Sequence, residues 1–304
     1  MKYRKGVQGL FPDKGRYIMQ EDYLSKIRSA YNQFTKAEKK VADYILRYPK
    51  KVLFMSISDL AEACEVGDTS VFRFCKTMNV KGYQDFKMML SLSMRQSENA
   101  LESNDDKSIT LEDNISELAK KVLQENVSAI QETYNLIDLK QMTIALDALS
   151  EAKRIVFFGV GTSMLTAMKA MNKFLRIEPK VICNTDVNMQ LVTASMLDPT
   201  DVALIFSYSG STKDTIEIAR SAKAAGARTI VITRFTKSQL TEYADIILLC
   251  GANEGTLQNG STSGEISQLF LVDVIYSEYY RRHFSRCKAN WDKTQRSIAD
   301  KNYQ

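Results

Sequence analysis

Along the first third of the chain, apolar residues recur at helical spacing. Thr35-Lys36-Ala37-Glu38 is a capping box, in which a hydroxyl and a carboxylate exchange hydrogen bonds with the first-turn backbone. It predicts a helix with Val41, Ile45 and Leu46 on one side, stopped near Pro49. Ser56-Ile57-Ser58-Asp59 repeats the pattern with Asp as the acid and opens a short helix to about Cys64. Gly67-Asp68 marks a turn, and the next helix runs from about Asp68 to Met78. In it, Val71, Phe74, Cys75 and Met78 fall at i, i+3, i+4 and i+7, one apolar stripe. A last helix follows Gly82 and carries Phe86, Met89 and Leu90. A longer helix followed by two short ones across a tight turn is a helix-turn-helix pattern.

Residues 97–110 are polar and non-periodic, as a linker is. Helices are predicted near 112–134 and 138–150. Then the grammar changes. Short β-branched or aromatic runs at 154–158, 181–183, 202–207, 229–233 and 246–249 alternate with helical stretches at about 163–176, 186–196, 212–225, 238–243 and 264–283. Strands separated by helices predict β-α-β crossovers and a parallel sheet flanked by helices, doubly wound. The expected organisation is an arm over 1–18, a separate all-α helix-turn-helix domain over 19–95, a linker over 96–111, an α/β domain over 112–286 and a polar tail over 287–304.

The net charge of +5 is unevenly spread. Residues 1–95 hold 18 Lys+Arg against 10 Asp+Glu, a net of +8; the rest of the chain holds 23 against 26, a net of −3. A basic end on a slightly acidic chain points to a polyanion partner for that end. No apolar run reaches the ~18 to 20 residues of a membrane span, and the first 20 residues lack the ~7 to 15 apolar residues of a signal-peptide core, so a cytoplasmic location is expected. The five cysteines form no C-x-x-C; neither a disulfide framework nor a metal site is expected.

Opposite the apolar stripe of the 68–78 helix stand Thr69, Ser70, Arg73 and Lys76, with Lys81 just beyond. Short hydroxyls and long cations near a helix N-terminus suit a recognition helix in the major groove of double-stranded DNA. A solvated polar face has the same composition.

Two strand ends carry candidate chemistry in the second domain. Ile155–Phe158 runs into Gly159-Val160-Gly161-Thr162-Ser163, where glycines let the chain turn sharply into a helix. Met164 stands where a dinucleotide fingerprint has its third glycine, so no nucleotide cofactor is expected. Ala203–Phe206 leads into Ser207-Tyr208-Ser209-Gly210-Ser211-Thr212. Hydroxyls, backbone N–H groups and a helix N-terminus together make a phosphate cradle. One or two such hydroxyls would only cap the helix; four in six residues, besides Tyr208, exceed what capping requires.

The residues from Thr35 to Leu90 resemble the N-terminal domain of the RpiR family of regulators, through Leu60-Ala61-Glu62-Ala63, Val71-Phe72-Arg73-Phe74-Cys75, and Lys81-Gly82-Tyr83 with Phe86 and Lys87. Gly67 departs from the family's usual Ser, and Asp68 is expected to take over as cap. The stretch from about 126 to 283 resembles the sugar isomerase (SIS) domain, through the two loops above, Ala222-Lys223 with Gly226-Ala227, Ile232-Thr233, and Leu269 with Asp273. The resemblance implies a regulator that senses a phosphorylated sugar. By motif position Ser163, Ser207, Ser209 and Thr212 would hold the phosphate, with Gly161, Thr162, Tyr208 and Ser211 around it; Ser211 stands where many members have Glu. Glu265, near the start of the last helix, is a candidate partner for a sugar hydroxyl.

SIS domains also occur in isomerases and etherases, which need a general acid or base. The single histidine, His283, is expected on the surface at the far end of the last helix, and Glu265 or Glu254 has no evident second group. An attached DNA-binding head favours sensing over catalysis. The expected partners are operator DNA, a phosphosugar effector and further copies of the chain, as a homodimer or homotetramer. Effector binding, with closure around residues 253–263, would then change the spacing of paired recognition helices.

Overall fold

A computed structural model describes residues 23–98, 109–110, 112–251 and 262–299. The expected arm, most of the expected linker and residues 252–261 lie outside the described residues. The N-terminal unit comprises α1 (Tyr23–Ala30), a 3-10 turn at Tyr31–Gln33, α2 (Lys36–Arg47), α3 (Pro49–Val52), α4 (Ile57–Ala63), α5 (Asp68–Thr77) and α6 (Tyr83–Glu98). Both capping boxes form. Thr35 N donates to Glu38 Oε2 at 2.8 Å and Glu38 N to Thr35 Oγ1 at 3.3 Å; Ser56 N donates to Asp59 Oδ2 at 2.8 Å and Asp59 N to Ser56 Oγ at 3.1 Å. Phe74 carries the α5 stripe into the core, where its ring lies 5.1 Å from Phe34 and 5.6 Å from Phe86. Each such buried side chain contributes about 1.5 to 3 kcal/mol of transfer free energy.

The second unit runs α7 (Ile115–Asn135), α8 (Leu139–Glu151), β1 (Ile155–Gly159), α9 (Thr162–Leu175), β2 (Val181–Cys183), α10 (Val187–Ser195), β3 (Val202–Phe206), α11 (Lys213–Ala224), β4 (Arg228–Thr233), a 3-10 turn at Leu240–Tyr243, β5 (Ile246–Leu249), α12 (Thr262–Arg282) and α13 (Phe284–Ile298). The sheet is parallel with order β2-β1-β3-β4-β5. The central strands are near-continuous apolar runs because helices cover both faces. Ile155, Phe157, Leu204, Phe206 and Ile230 pack toward α8, α9 and α12. Val156, Phe158, Ala203, Ile205 and Val231 pack toward α10 and α11.

Two elements differ from the sequence pattern. Residues 238–243 form only a 3-10 turn over Leu240–Tyr243. Beyond Cys287, where polar composition predicts a tail, the chain continues as α13. Side-chain anchors replace an apolar stripe there: Asn290 donates to the Ile177 carbonyl at 2.8 Å, Thr294 to the Arg176 carbonyl at 3.1 Å, and Cys287 is buried.

Candidate functional site

Strand order 2-1-3-4-5 reverses direction between β1 and β3. In doubly wound sheets the ligand crevice opens above the carboxyl ends of the strands at that switch. The two sequence-predicted loops leave those two strands, since Gly159 at the end of β1 lies beside Phe206 at the end of β3.

After β1 the chain turns through Gly161, whose φ of +62° lies in the region that favours glycine, and enters α9. Gly159 is also required, because a Cβ there would stand 2.5 Å from the Ser163 carbonyl oxygen. Thr162 and Ser163 open α9; Thr162 is exposed, while Ser163 is mostly covered. Gln190 of α10 holds this strand end from below. Its Oε1 accepts from Gly159 N at 3.1 Å and its Nε2 donates to Gly159 O at 3.0 Å. Sequence reasoning missed Gln190, which carries no motif.

After β3, Ser207 is buried at 3% exposure and its N–H donates to the Ile232 carbonyl at 3.1 Å. Ser209, Ser211 and Thr212 are exposed. Ser209 Oγ accepts from the Ser211 hydroxyl at 2.9 Å and from the Ser211 N–H at 3.3 Å. Thr212 is the N-cap residue of α11, yet its side chain makes no cap hydrogen bond. Capping therefore does not occupy the Thr212 hydroxyl, although Ser209 does serve the local backbone. Gly210 turns the loop at φ +62°. Tyr208 faces sideways: its hydroxyl accepts from Arg234 Nη1 at 2.8 Å, and the guanidinium lies 5.7 Å from its ring centroid.

The N-termini of α9 and α11 thus both follow the paired ends of β1 and β3, at the switch in strand order. The first N–H groups of a helix lack helical partners and carry about half a positive charge. Two such ends beside the exposed hydroxyls of Ser209, Ser211 and Thr212 can hold a dianion without a fixed cation. Glu265 lies in the first turn of α12, half-buried; Glu254 lies outside the described residues. His283 is not the free surface residue the sequence suggests. It is half-buried, its Nε2 lies 2.8 Å from Ser150 Oγ, its ring is 4.7 Å from Tyr279, and burial holds its pKa below the usual 6.5. It stands about 27 Å along α12 from Glu265 at helical rise.

In the head, Thr69, Arg73 and Lys76 are exposed and Ser70 is half-buried, on the face of α5 opposite its core stripe; Lys81 is exposed beyond it. Two details depart from expectation. Asp68 does not cap α5: its Oδ2 accepts from Ser58 Oγ at 2.8 Å, and Gly67 occupies the N-cap position with no side-chain bond. Lys76 is tied back, with Nζ donating to the Lys81 carbonyl at 2.9 Å and lying 5.1 Å from the Phe72 ring centroid.

Comparison with known proteins agrees with both halves. The helix-turn-helix domain of the rpiR family matches residues 21–97, and the SIS domain matches residues 148–277. An uncharacterized HTH-type transcriptional regulator of Haemophilus influenzae is 39% identical over 254 residues, which cover 84% of this chain and 88% of that protein. The HTH-type transcriptional regulator HexR of Escherichia coli is 26% identical over 280 residues, 92% of this chain and 95% of that one. The structure of Vibrio vulnificus NanR complexed with ManNAc-6P superposes with a TM-score of 0.59 at 27% identity, covering 92% of this chain and 99% of NanR. A basic helix-turn-helix head followed by an SIS domain, with relatives matched across both, places this chain in the rpiR family of transcriptional regulators.

Proposed function

We propose that this regulator binds operator DNA through α5 and that a phosphosugar held by the SIS domain modulates its affinity. The carrying observation is that α9 and α11 both start from the paired ends of β1 and β3, with a Thr212 hydroxyl unused by its own helix. In this reading Ser163, Ser207, Ser209 and Thr212 take the phosphoryl oxygens, and Gly161, Thr162 and Ser211 supply backbone or hydroxyl donors. Tyr208 shapes the loop through Arg234, and Glu265 meets a sugar hydroxyl. NanR, which shares both the fold and the domain order, is complexed with a phosphorylated amino sugar, and this supports the same ligand class here.

Sensing is favoured over turnover because the one histidine is packed on Tyr279, far along α12 from the crevice. The protein acts in the cytoplasm as a homodimer or homotetramer. Self-association is supported by Leu123, Val127, Ile130 and Tyr134, an exposed apolar stripe along α7, and by exposed Met189, Val192 and Met196 on α10 and its C-cap. Among the described residues no helix is long and apolar enough to cross a membrane.

The test is a thermal-shift screen against phosphosugars, since ligand at 100 times its Kd stabilises a site by about 2.7 kcal/mol. Operator affinity is then measured with and without each hit. The proposal fails if no phosphosugar shifts the transition while inorganic phosphate does, or if hits leave operator affinity unchanged.

A further inference from the structure

One segment of the SIS domain touches both the serine-rich loop and the DNA-binding head. Residues 233–240 leave the carboxyl end of β4. On one side, Arg234 N and Thr233 Oγ1 both donate to the Tyr208 carbonyl, at 3.0 and 3.1 Å, and Leu240 N donates to the Gly210 carbonyl at 3.1 Å. A Cβ at Gly210 would lie 2.8 Å from Ser238 Cβ, so the Gly210 backbone lies directly against the Ser238 side chain. On the other side, Thr236 donates through both N and Oγ1 to the Ser29 carbonyl, at 2.9 and 3.1 Å, while Gln33 Nε2 donates to Thr236 Oγ1 at 2.6 Å.

Ser29 lies in the last turn of α1, whose carbonyls have no helical partner. The SIS domain supplies one. Beside it, Arg28 Nη1 stands 3.3 Å from Glu132 Oε1 of α7. That oxygen, buried in a residue 6% exposed, gains a charge partner but no hydrogen bond, and Ser29 Oγ is buried with no partner at all. A seam of few contacts with unsatisfied polar groups is cheap to open.

We infer that residues 233–240 are the coupling element: occupancy of the serine-rich loop shifts Ser238 and Leu240, and Thr236 passes that shift to the docked end of α1. This rests on the proposed function. Phosphate drawing Ser209–Thr212 toward the two helix ends moves Gly210, which cannot move independently of Ser238. The head then changes its seat through Ser29 and Gln33.

The test uses the full chain and an operator selected by the wild type from random duplexes. Probes are N-acetylmannosamine 6-phosphate, glucosamine 6-phosphate and arabinose 5-phosphate. The readout is the ratio of operator Kd with and without probe. The double variant Gln33→Ala, Thr236→Val is expected to shrink that ratio at least threefold, with the probe's own binding midpoint kept within twofold. A second variant, Gln33→Cys with Thr236→Cys, is expected to give a ratio near one when oxidised and the wild-type ratio after reduction. A responsive wild type whose ratio survives in both variants overturns the coupling role alone. A wild type that neither binds nor responds to any probe overturns the proposed function and the coupling with it.

Discussion

Gln190 grips Gly159 at both polar atoms of its peptide backbone, with hydrogen bonds of 3.1 and 3.0 Å from a side chain that is fully buried. The pair fixes the end of β1 at the point where the chain turns toward α9. Gln190→Leu keeps the volume and removes both partners. Two buried backbone groups then go unsatisfied, each worth ~1 to 3 kcal/mol, so unfolding free energy is expected to fall by about 2 to 6 kcal/mol. Phosphosugar affinity should fall with it, because the Gly161 turn loses its footing. Urea denaturation beside a titration with N-acetylmannosamine 6-phosphate checks this; an unchanged midpoint in both would show the clamp to be idle.

The uncapped Thr212 separates ligand binding from stability. An ordinary N-cap Thr→Ala change costs ~1 kcal/mol. Here the hydroxyl makes no cap bond, so Thr212→Ala is expected to leave stability within about 0.5 kcal/mol. Losing a hydrogen bond to a charged phosphate costs ~1.5 to 3 kcal/mol, so effector affinity should fall at least tenfold. Ser56→Ala is the control, because that hydroxyl does cap α4 at 3.1 Å; it should lose stability and keep effector affinity. Equal stability losses in the two variants would return the Ser/Thr cluster to a capping role.

How far the sequence reaches depends on whether a residue's role is local. The capping boxes at Thr35 and Ser56 are complete within four residues and form as read. Strands β1 and β3 are legible because burial on both faces demands unbroken apolar runs. The two loops follow from glycines and hydroxyls at those strand ends. Gln190 is illegible, since one polar residue in α10 carries no period. The Thr236–Ser29 contact is equally so, because 207 residues separate the partners. Helix α13 hides because its hold on the turn between α9 and β2 is made by Asn290, Thr294 and Arg286, the last paired with Glu178 at 2.9 Å.

Acid should loosen the head through Glu38. Burial pushes this carboxyl's pKa up, but hydrogen bonds from the Thr35 backbone and hydroxyl and from Thr77, with the charge of Arg73, outweigh it and hold it below the usual 4.5. The folded state therefore binds the proton less readily than the unfolded chain. The stabilisation is complete above pH 4.5 and is lost as pH falls through the lower folded value. Glu38→Gln should be less stable at pH 7 and lose less on going to pH 3.5. Urea midpoints at the two pH values, followed by tyrosine fluorescence, check the sign; a variant as acid-sensitive as the wild type would assign the effect to another carboxylate.

Arg73 and Lys76 are both exposed on α5, but the structure gives them different freedom. Lys76 is held by the Lys81 carbonyl and lies over Phe72, whereas Arg73 stands on the same face with its guanidinium near Glu38 only as a charge. A guanidinium can bridge two acceptors of guanine in the major groove, and losing such a contact costs ~1 to 3 kcal/mol. Arg73→Ala is therefore expected to weaken specific operator binding about 10- to 100-fold and to relax discrimination at one base pair. Arg73→Lys should restore the charge without the fork, recovering non-specific affinity and little specificity. Lys76→Ala should weaken specific and non-specific duplexes alike and lower the salt slope by about one. Anisotropy titrations of both duplexes over a salt series distinguish the three. If Arg73→Ala lowers only the salt slope, Arg73 touches phosphate rather than a base, and the recognition role passes to Thr69 and Ser70 at the N-terminal end of the helix.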